Sequence, residues 1–492
     1  MHMQKSTRLI TGIPGLDDLL GGGLVTNGLY LVEGMPGAGK TILASQIAFH
    51  QARAGEQVLF ITLIAESHGK LLGHLRGFSF FDDDIFAQKI LMLSGFNELL
   101  SGGLEGLLRF IGENVRRHRA SFLVLDGFAS AREFSESPRA LASFIHNLNT
   151  LLTVTNTTTL LLAPLTGNGP HAEHTLVDGL IELERVARGL RRAREIEIHK
   201  MRGGRHLTGQ HVFTISDDGI HVYPRLESIV MSKHFEPRAS KSIVSTGLDS
   251  LDAMMNGGVP DGSTTSLLGA PGTGKTLLGL NFLKSGADRG EPALYVGFYE
   301  APERLIENAR GIGVELQPAI DSGLLHLQWQ APLELSVDLL AEQIDEFVQR
   351  NRIKRLFLDG IEGLVQGLLY PERIATFLTA FTVLLRARGV TMLISEELPL
   401  FTSGIESRAF SVSAIVENVV VLRYFEIESE LRRLISVMKL RESRYDRTIR
   451  EFEISDAGLH IGERLKGIDH TLIGNAQWHG QHVRLSPPPA RK

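Results

Sequence analysis

The chain has 492 residues, more than one hydrophobic core usually serves, so two domains of about 235 residues are expected. Its hydrophobic fraction of 43% and charged fraction of 22% are ordinary for a soluble globular protein, and a net charge of −5 argues against a general nucleic-acid binder. The lack of cysteine removes disulfides, thiol chemistry and thiolate metal sites; with no apolar leader and no membrane-length run, the cytoplasm is the expected location and no membrane partner is expected.

In chain order, the β-prone run Leu29-Tyr30-Leu31-Val32-Glu33 enters the loop Gly34-Met35-Pro36-Gly37-Ala38-Gly39-Lys40-Thr41, and Thr41 to Arg53 reads as the helix leaving it. The loop fits G-x-x-x-x-G-K-[ST]. Glycines there let successive backbone N–H groups turn inward around an anion, the lysine neutralises β/γ-phosphate charge and the hydroxyl ligates Mg²⁺. Gly34, Pro36, Gly37, Ala38, Gly39, Lys40 and Thr41 are therefore candidate nucleotide ligands, and ATP with Mg²⁺ is the implied cofactor pair.

Gln57 to Thr62 reads as the next strand, Phe122 to Leu125 as another and Thr158 to Leu162 as a fourth. Short apolar runs separated by helical segments imply buried parallel strands with crossover helices, whose ligands bind at the strands' carboxyl ends. Asp126 closes its strand and is a candidate second metal anchor, although Asp-Gly after a strand is also a common turn. Glu66, one strand after the loop, could orient the attacking water or could cap the next helix. The arginine-dense stretch Arg185 to Arg194 lacks interleaved aromatics and reads as a solvated hairpin turn. Beyond it, Lys200-Met201-Arg202 places two cations on one strand face, with His206 four residues on. They could reach a neighbouring subunit's γ-phosphate or be solvated edge charges.

The chain then repeats itself. Thr11-Gly12 recurs as Thr246-Gly247, and the phosphate loop recurs 235 residues later as Gly269-Ala270-Pro271-Gly272-Thr273-Gly274-Lys275-Thr276. Gly269, Pro271, Gly272, Thr273, Gly274, Lys275 and Thr276 are the second set of candidate ligands, Thr41 and Thr276 pairing with Asp126 and Asp359 as candidate Mg²⁺ sites. Glu300 matches Glu66, and Lys439-Leu440-Arg441 matches the earlier Lys-x-Arg, with Tyr445 where His206 stood. A period this long is a duplicated domain, not a solenoid unit. The recurrence favours the metal carboxylate over the turn for each Asp. The fold class is α/β, twice: domains at 1–230 and 231–465, each a mainly parallel twisted sheet flanked by helices, and a flexible polar tail at 466–492.

Together these motifs resemble the KaiC family, circadian-clock ATPases within the RecA/DnaB-type group, over nearly the whole chain except the tail. The resemblance implies two RecA-like P-loop domains per chain, a homohexameric double ring, ATP held between neighbouring subunits and unidentified protein partners. It assigns trans contacts to Lys200, Arg202, His206, Lys439 and Arg441. The family carries adjacent glutamates after the second strand; here Ala65 and Tyr299 stand at the first of each pair, leaving Glu66 and Glu300. Its second domain autophosphorylates on adjacent Ser and Thr, positions held here by Ser413 and Ala414. Tyrosine, with a pKa near about 10, is a poor base at neutral pH, so serine/threonine autokinase activity at Ser413 is expected to be weak or absent. Three functions stay open: a slow ATP-hydrolysing signalling or timing ring, a RecA/DnaB-like nucleic-acid motor, and a nucleotide-gated scaffold. Nucleic acid is the partner least expected.

Overall fold

The computed structural model describes residues 8–63, 68–165, 172–188, 191–233, 235, 242–331, 336–398, 415–427, 430–441, 443–456, 458–464, 468–469 and 477–478. Glu66, Ala65, Ser413, Ala414 and nearly all of the tail expected from residue 466 lie outside the described residues. The chain divides into two compact units, Met1–Ser232 and Lys233–Lys492.

The first unit is built on strands β1 (Leu29–Gly34), β2 (Val58–Thr62), β3 (Ile90–Ser94), β4 (Phe122–Asp126), β5 (Thr158–Pro164), β6 (Gly179–Arg188), β7 (Arg191–Met201), β8 (His211–Ser216) and β9 (Gly219–Tyr223). They form one sheet in the order β9-β8-β7-β6-β1-β5-β4-β2-β3. The six strands from β6 to β3 run parallel, and β7, β8 and β9 add an antiparallel flank. The apolar runs explain this. Tyr30, Val32, Phe60, Val124 and Leu160 enter one core cluster, while their neighbours Leu29, Leu31, Ile61, Leu125 and Leu161 enter another. Both faces are therefore buried, as a parallel sheet with helices on each side requires. Each such side chain contributes about 1.5–3 kcal/mol.

The second unit repeats the plan with β10 (Thr264–Gly269), β11 (Ala293–Gly297), β12 (Leu325–Trp329), β13 (Arg355–Asp359), β14 (Thr391–Glu397), β15 (Asn418–Ile427), β16 (Glu430–Leu440), β17 (Arg450–Ser455) and β18 (Gly458–Arg464). The order β18-β17-β16-β15-β10-β14-β13-β11-β12 matches the first sheet strand for strand. The expected α/β fold, with two mainly parallel sheets flanked by helices, is what the chain adopts. No helix among the described residues is long and apolar enough to cross a membrane.

Register levels the strand ends that carry the candidate residues. Thr62 pairs with Asp126, Asp126 with Leu162 and Gly34 with Pro164. In the second sheet Gly297 pairs with Asp359 and Gly269 with Glu397. The arginine-dense stretch is a hairpin with Arg185 opposite Arg194 and Arg188 opposite Arg191; its turn residues, 189 and 190, lie outside the described set.

Candidate nucleotide sites

The first cradle forms where β1 ends and helix α1 (Lys40–Arg53) begins. Gly37 and Gly39 take φ of 76° and 114°, left-handed values that a side chain would strain. A Cβ on Gly39 would also stand 3.0 Å from Ile215 Cδ1 on β8. Lys40 Nζ donates to the carbonyls of Gly34 at 2.7 Å and Met35 at 3.2 Å. Burial lowers the Lys40 pKa and the negative Asp126 opposes that shift. Thr41 Oγ1 donates to Asp126 Oδ2 at 3.0 Å, setting a hydroxyl and a carboxylate side by side. These are hard oxygen donors of the kind Mg²⁺ takes with phosphate and water completing its shell, so the residues present fit that ion. Pro36, Gly37, Thr62, His68 and Ala129 help line a cavity of about 420 Å³, and Thr62 Oγ1 lies 3.0 Å from His68 Nε2.

The second cradle repeats the first nearly atom for atom. It joins β10 to helix α2 (Lys275–Ala287), with Gly272 and Gly274 at φ of 76° and 101°. Lys275 Nζ donates to Gly269 O at 2.7 Å and Ala270 O at 3.0 Å, and Thr276 Oγ1 donates to Asp359 Oδ2 at 2.9 Å. Thr273 Oγ1 turns back onto Ala270 O at 2.8 Å. The cavity here is about 440 Å³, so the two sites differ in chemistry and not in size. Both volumes fall in the range of small-molecule sites.

The difference lies in the walls. Asp359 also accepts from Tyr295 OH at 3.1 Å and from Ser395 Oγ at 2.6 Å. Ser395, Glu397 and Glu362 line the second cavity where Leu162, Pro164 and Ala129 line the first. Glu300 lines it too, together with Tyr299. Burial raises the Tyr299 pKa, and negative Glu362 and Glu397 raise it further. Burial lowers the Lys275 pKa against the opposing pull of Glu397, Glu362 and Asp359. No motif announced Glu362 or Glu397: they reach the cavity because the helix Ile361–Gly367 that follows β13 and the end of β14 meet there.

The Lys-x-Arg pairs sit elsewhere. Neither pair, nor His206, lines the cavity of its own unit. Lys200 Nζ donates at 2.9 Å to the carbonyls of both His174 and Thr175, and Arg202 Nη2 donates to Thr175 O at 3.0 Å. Lys439 Nζ donates to Val416 O at 2.7 Å. Each lysine is its strand's next-to-last residue, and Arg202 and Arg441 fall one residue past the strand, exposed. A bulge precedes each lysine: β6–β7 skips His199 and β15–β16 skips Met438. The bulge breaks the simple two-residue alternation and re-aims the lysine at the same place in both repeats. His206 is half-buried, and Tyr445 at its counterpart donates to Met438 O at 2.8 Å.

The carbonyls that hold Lys200 belong to a short helix, Ala172–Leu176, anchored by buried charge. Arg132 bridges Glu33, beside the phosphate loop, at 2.7 Å and Glu173 at 2.7 Å, and His174 Nε2 lies 2.8 Å from Glu33. Sequence separation hid this cluster.

A family model described as KaiC ATPase matches residues 9–227 and again 244–466. The circadian clock oscillator protein KaiC of Picosynechococcus sp. is 27% identical over 484 residues, covering 95% of this chain and 92% of the relative. The circadian clock protein KaiC3 of Synechocystis sp. is 28% identical over 495 residues, covering 96% and 95%. The KaiC of Synechococcus elongatus is 27% identical over 489 residues, covering 96% and 92%.

Proposed function

Because the chain belongs to the KaiC ATPase family, we propose that it holds Mg-ATP at both phosphate loops and hydrolyses it slowly. The observation that carries this reading is the twin cradle: lysine on the loop carbonyls at 2.7 Å and Thr–Asp pairs at 3.0 and 2.9 Å. Phosphate oxygens would replace the carbonyls as partners of Lys40 and Lys275, and the loop N–H groups would close around the same anion. Thr41 with Asp126, and Thr276 with Asp359, would hold Mg²⁺, which when bound neutralises charge on the β- and γ-phosphates. Glu66 and Glu300 are the proposed carboxylates for the attacking water.

Lys200, Arg202, His206, Lys439 and Arg441 act on the nucleotide of a neighbouring subunit. Their absence from the cavities of their own units supports that assignment. Sites completed in trans call for a closed ring, proposed here as a homohexameric double ring that ATP stabilises. The relatives are named circadian clock proteins, and a signalling or timing role in the cytoplasm with protein partners is proposed by analogy. Autokinase activity at Ser413 is weak or absent, since Tyr299 replaces the family's acceptor-activating glutamate.

One experiment tests these together: Mg²⁺-dependent turnover with γ-labelled ATP and phosphosite mapping on the purified assembly. Turnover is expected, falling in Glu66→Gln and Glu300→Gln with nucleotide binding retained. Tight binding with no turnover would select a scaffold, and rapid stoichiometric labelling of Ser413 would overturn the kinase assignment.

A further inference from the structure

The second cavity holds a carboxylate better placed for catalysis than its position suggests. Glu362 lies three residues past Asp359, on the helix Ile361–Gly367 that follows β13. Its Oε1 accepts the Glu397 backbone N–H at 2.6 Å, which fixes the carboxylate on the end of β14. Its Oε2 is buried and accepts no hydrogen bond from another residue among the described residues. The group lines the same cavity as Lys275, Thr276 and Asp359. One oxygen is held by the Glu397 N–H and the other is shielded from solvent, an arrangement that orients the carboxylate and makes it more basic.

Tyr299 gives the second observation. It stands where the family has the first of its paired glutamates. Its ring lies over Gly360, so that a Cβ on Gly360 would sit 3.1 Å from it. Glu362 is two residues from that contact, and the negative charges of Glu362 and Glu397 act on the phenol. In the first site Ala129 occupies the matching place after Asp126.

We infer that Glu362 is a catalytic carboxylate of the second site, the base that deprotonates the water attacking the γ-phosphate, with Glu300 orienting that water. The inference rests on the proposal that this site hydrolyses ATP. In the step, the water oxygen forms a bond to γ-phosphorus and its proton passes to the Glu362 carboxylate. The bond between γ-phosphorus and the β–γ bridging oxygen breaks, and its electron pair leaves on the β-phosphate of ADP. Glu362 then returns the proton to the released phosphate or to solvent. Burial raises the Glu362 pKa, with negative Glu397 adding to the shift while backbone N–H groups and Lys275 oppose it. A carboxyl raised in this way is a stronger base than an exposed glutamate once ionised.

The test uses the full chain carrying Lys40→Ala, which confines turnover to the second site. In that background Glu362→Gln should lower kcat about 100-fold, while a fluorescent ATP analogue still binds with Mg²⁺. Glu362→Asp should recover part of the rate. The rise of kcat with pH through the Glu362 ionisation should vanish in Glu362→Gln and persist in Glu300→Gln. Retained binding with unchanged kcat and pH profile in Glu362→Gln would overturn the inference and leave second-site hydrolysis standing. No turnover in Lys40→Ala alone, with nucleotide still bound, would overturn hydrolysis at this site and the inference with it.

Discussion

The two cradles agree in their binding half and part company in their catalytic half. Lysine-to-carbonyl distances are the same 2.7 Å, and the Thr–Asp pairs differ by 0.1 Å, 3.0 against 2.9. The walls around them changed character: Leu162, Pro164 and Ala129 in the first unit, Ser395, Glu397 and Glu362 in the second. Recognition of triphosphate depends on backbone N–H groups and one lysine, so it tolerates little drift. Placement of a water-activating carboxylate depends on any side chain that reaches the γ-phosphate, so it can move from one strand end to another.

The largest expected effect tests whether both halves are completed by a neighbour. Arg202→Ala and Arg441→Ala should each lower turnover at one set of sites by about 10³-fold, the scale of an arginine finger, with nucleotide affinity little changed. Turnover measured in single-site backgrounds would show it. An effect confined to affinity would place these arginines in binding and not in the transition state.

A smaller effect probes the denser hydrogen bonding of the second site. Asp359→Ala leaves Tyr295 OH and Ser395 Oγ without their carboxylate, at a cost of about 1–3 kcal/mol for buried polar groups. Both tryptophans, Trp329 and Trp478, belong to the second unit, so fluorescence-detected urea unfolding reports on that unit alone. An unchanged midpoint would remove Asp359 from the structural network.

The smallest effect is a pH slope. The folded Glu362 pKa is raised above its ordinary value of 4.5, so the native state holds this proton more tightly than the unfolded chain. The associated stability is fully present below pH 4.5 and is lost as pH rises through the raised value. Glu362→Gln should flatten that fall in nucleotide-free protein, read from the same fluorescence midpoint. A slope identical to the parent's would place the Glu362 carboxyl in water.

Much of this was legible beforehand for a physical reason. Strand-forming apolar runs, the glycines of the phosphate loops and the closing Asp126 and Asp359 are local patterns, and duplication repeated each of them. Glu362 and Glu397 were not legible because neither belongs to a motif; only the meeting of β13 and β14 brings them to one cavity. The bulges at His199 and Met438 are properties of pairing, invisible along one strand. The Glu33–Arg132–Glu173 cluster spans too much chain to be read from spacing. Lys-x-Arg was legible as a repeated pair of cations, while the fall of each arginine past its strand end was not.

The most direct test of the account is the number of nucleotides bound per chain. Equilibrium titration with a non-hydrolysable ATP analogue and Mg²⁺ should give two sites in the parent, one in Lys40→Ala, one in Lys275→Ala and none in the double variant. A parent stoichiometry of one, or two sites surviving either lysine substitution, would contradict it.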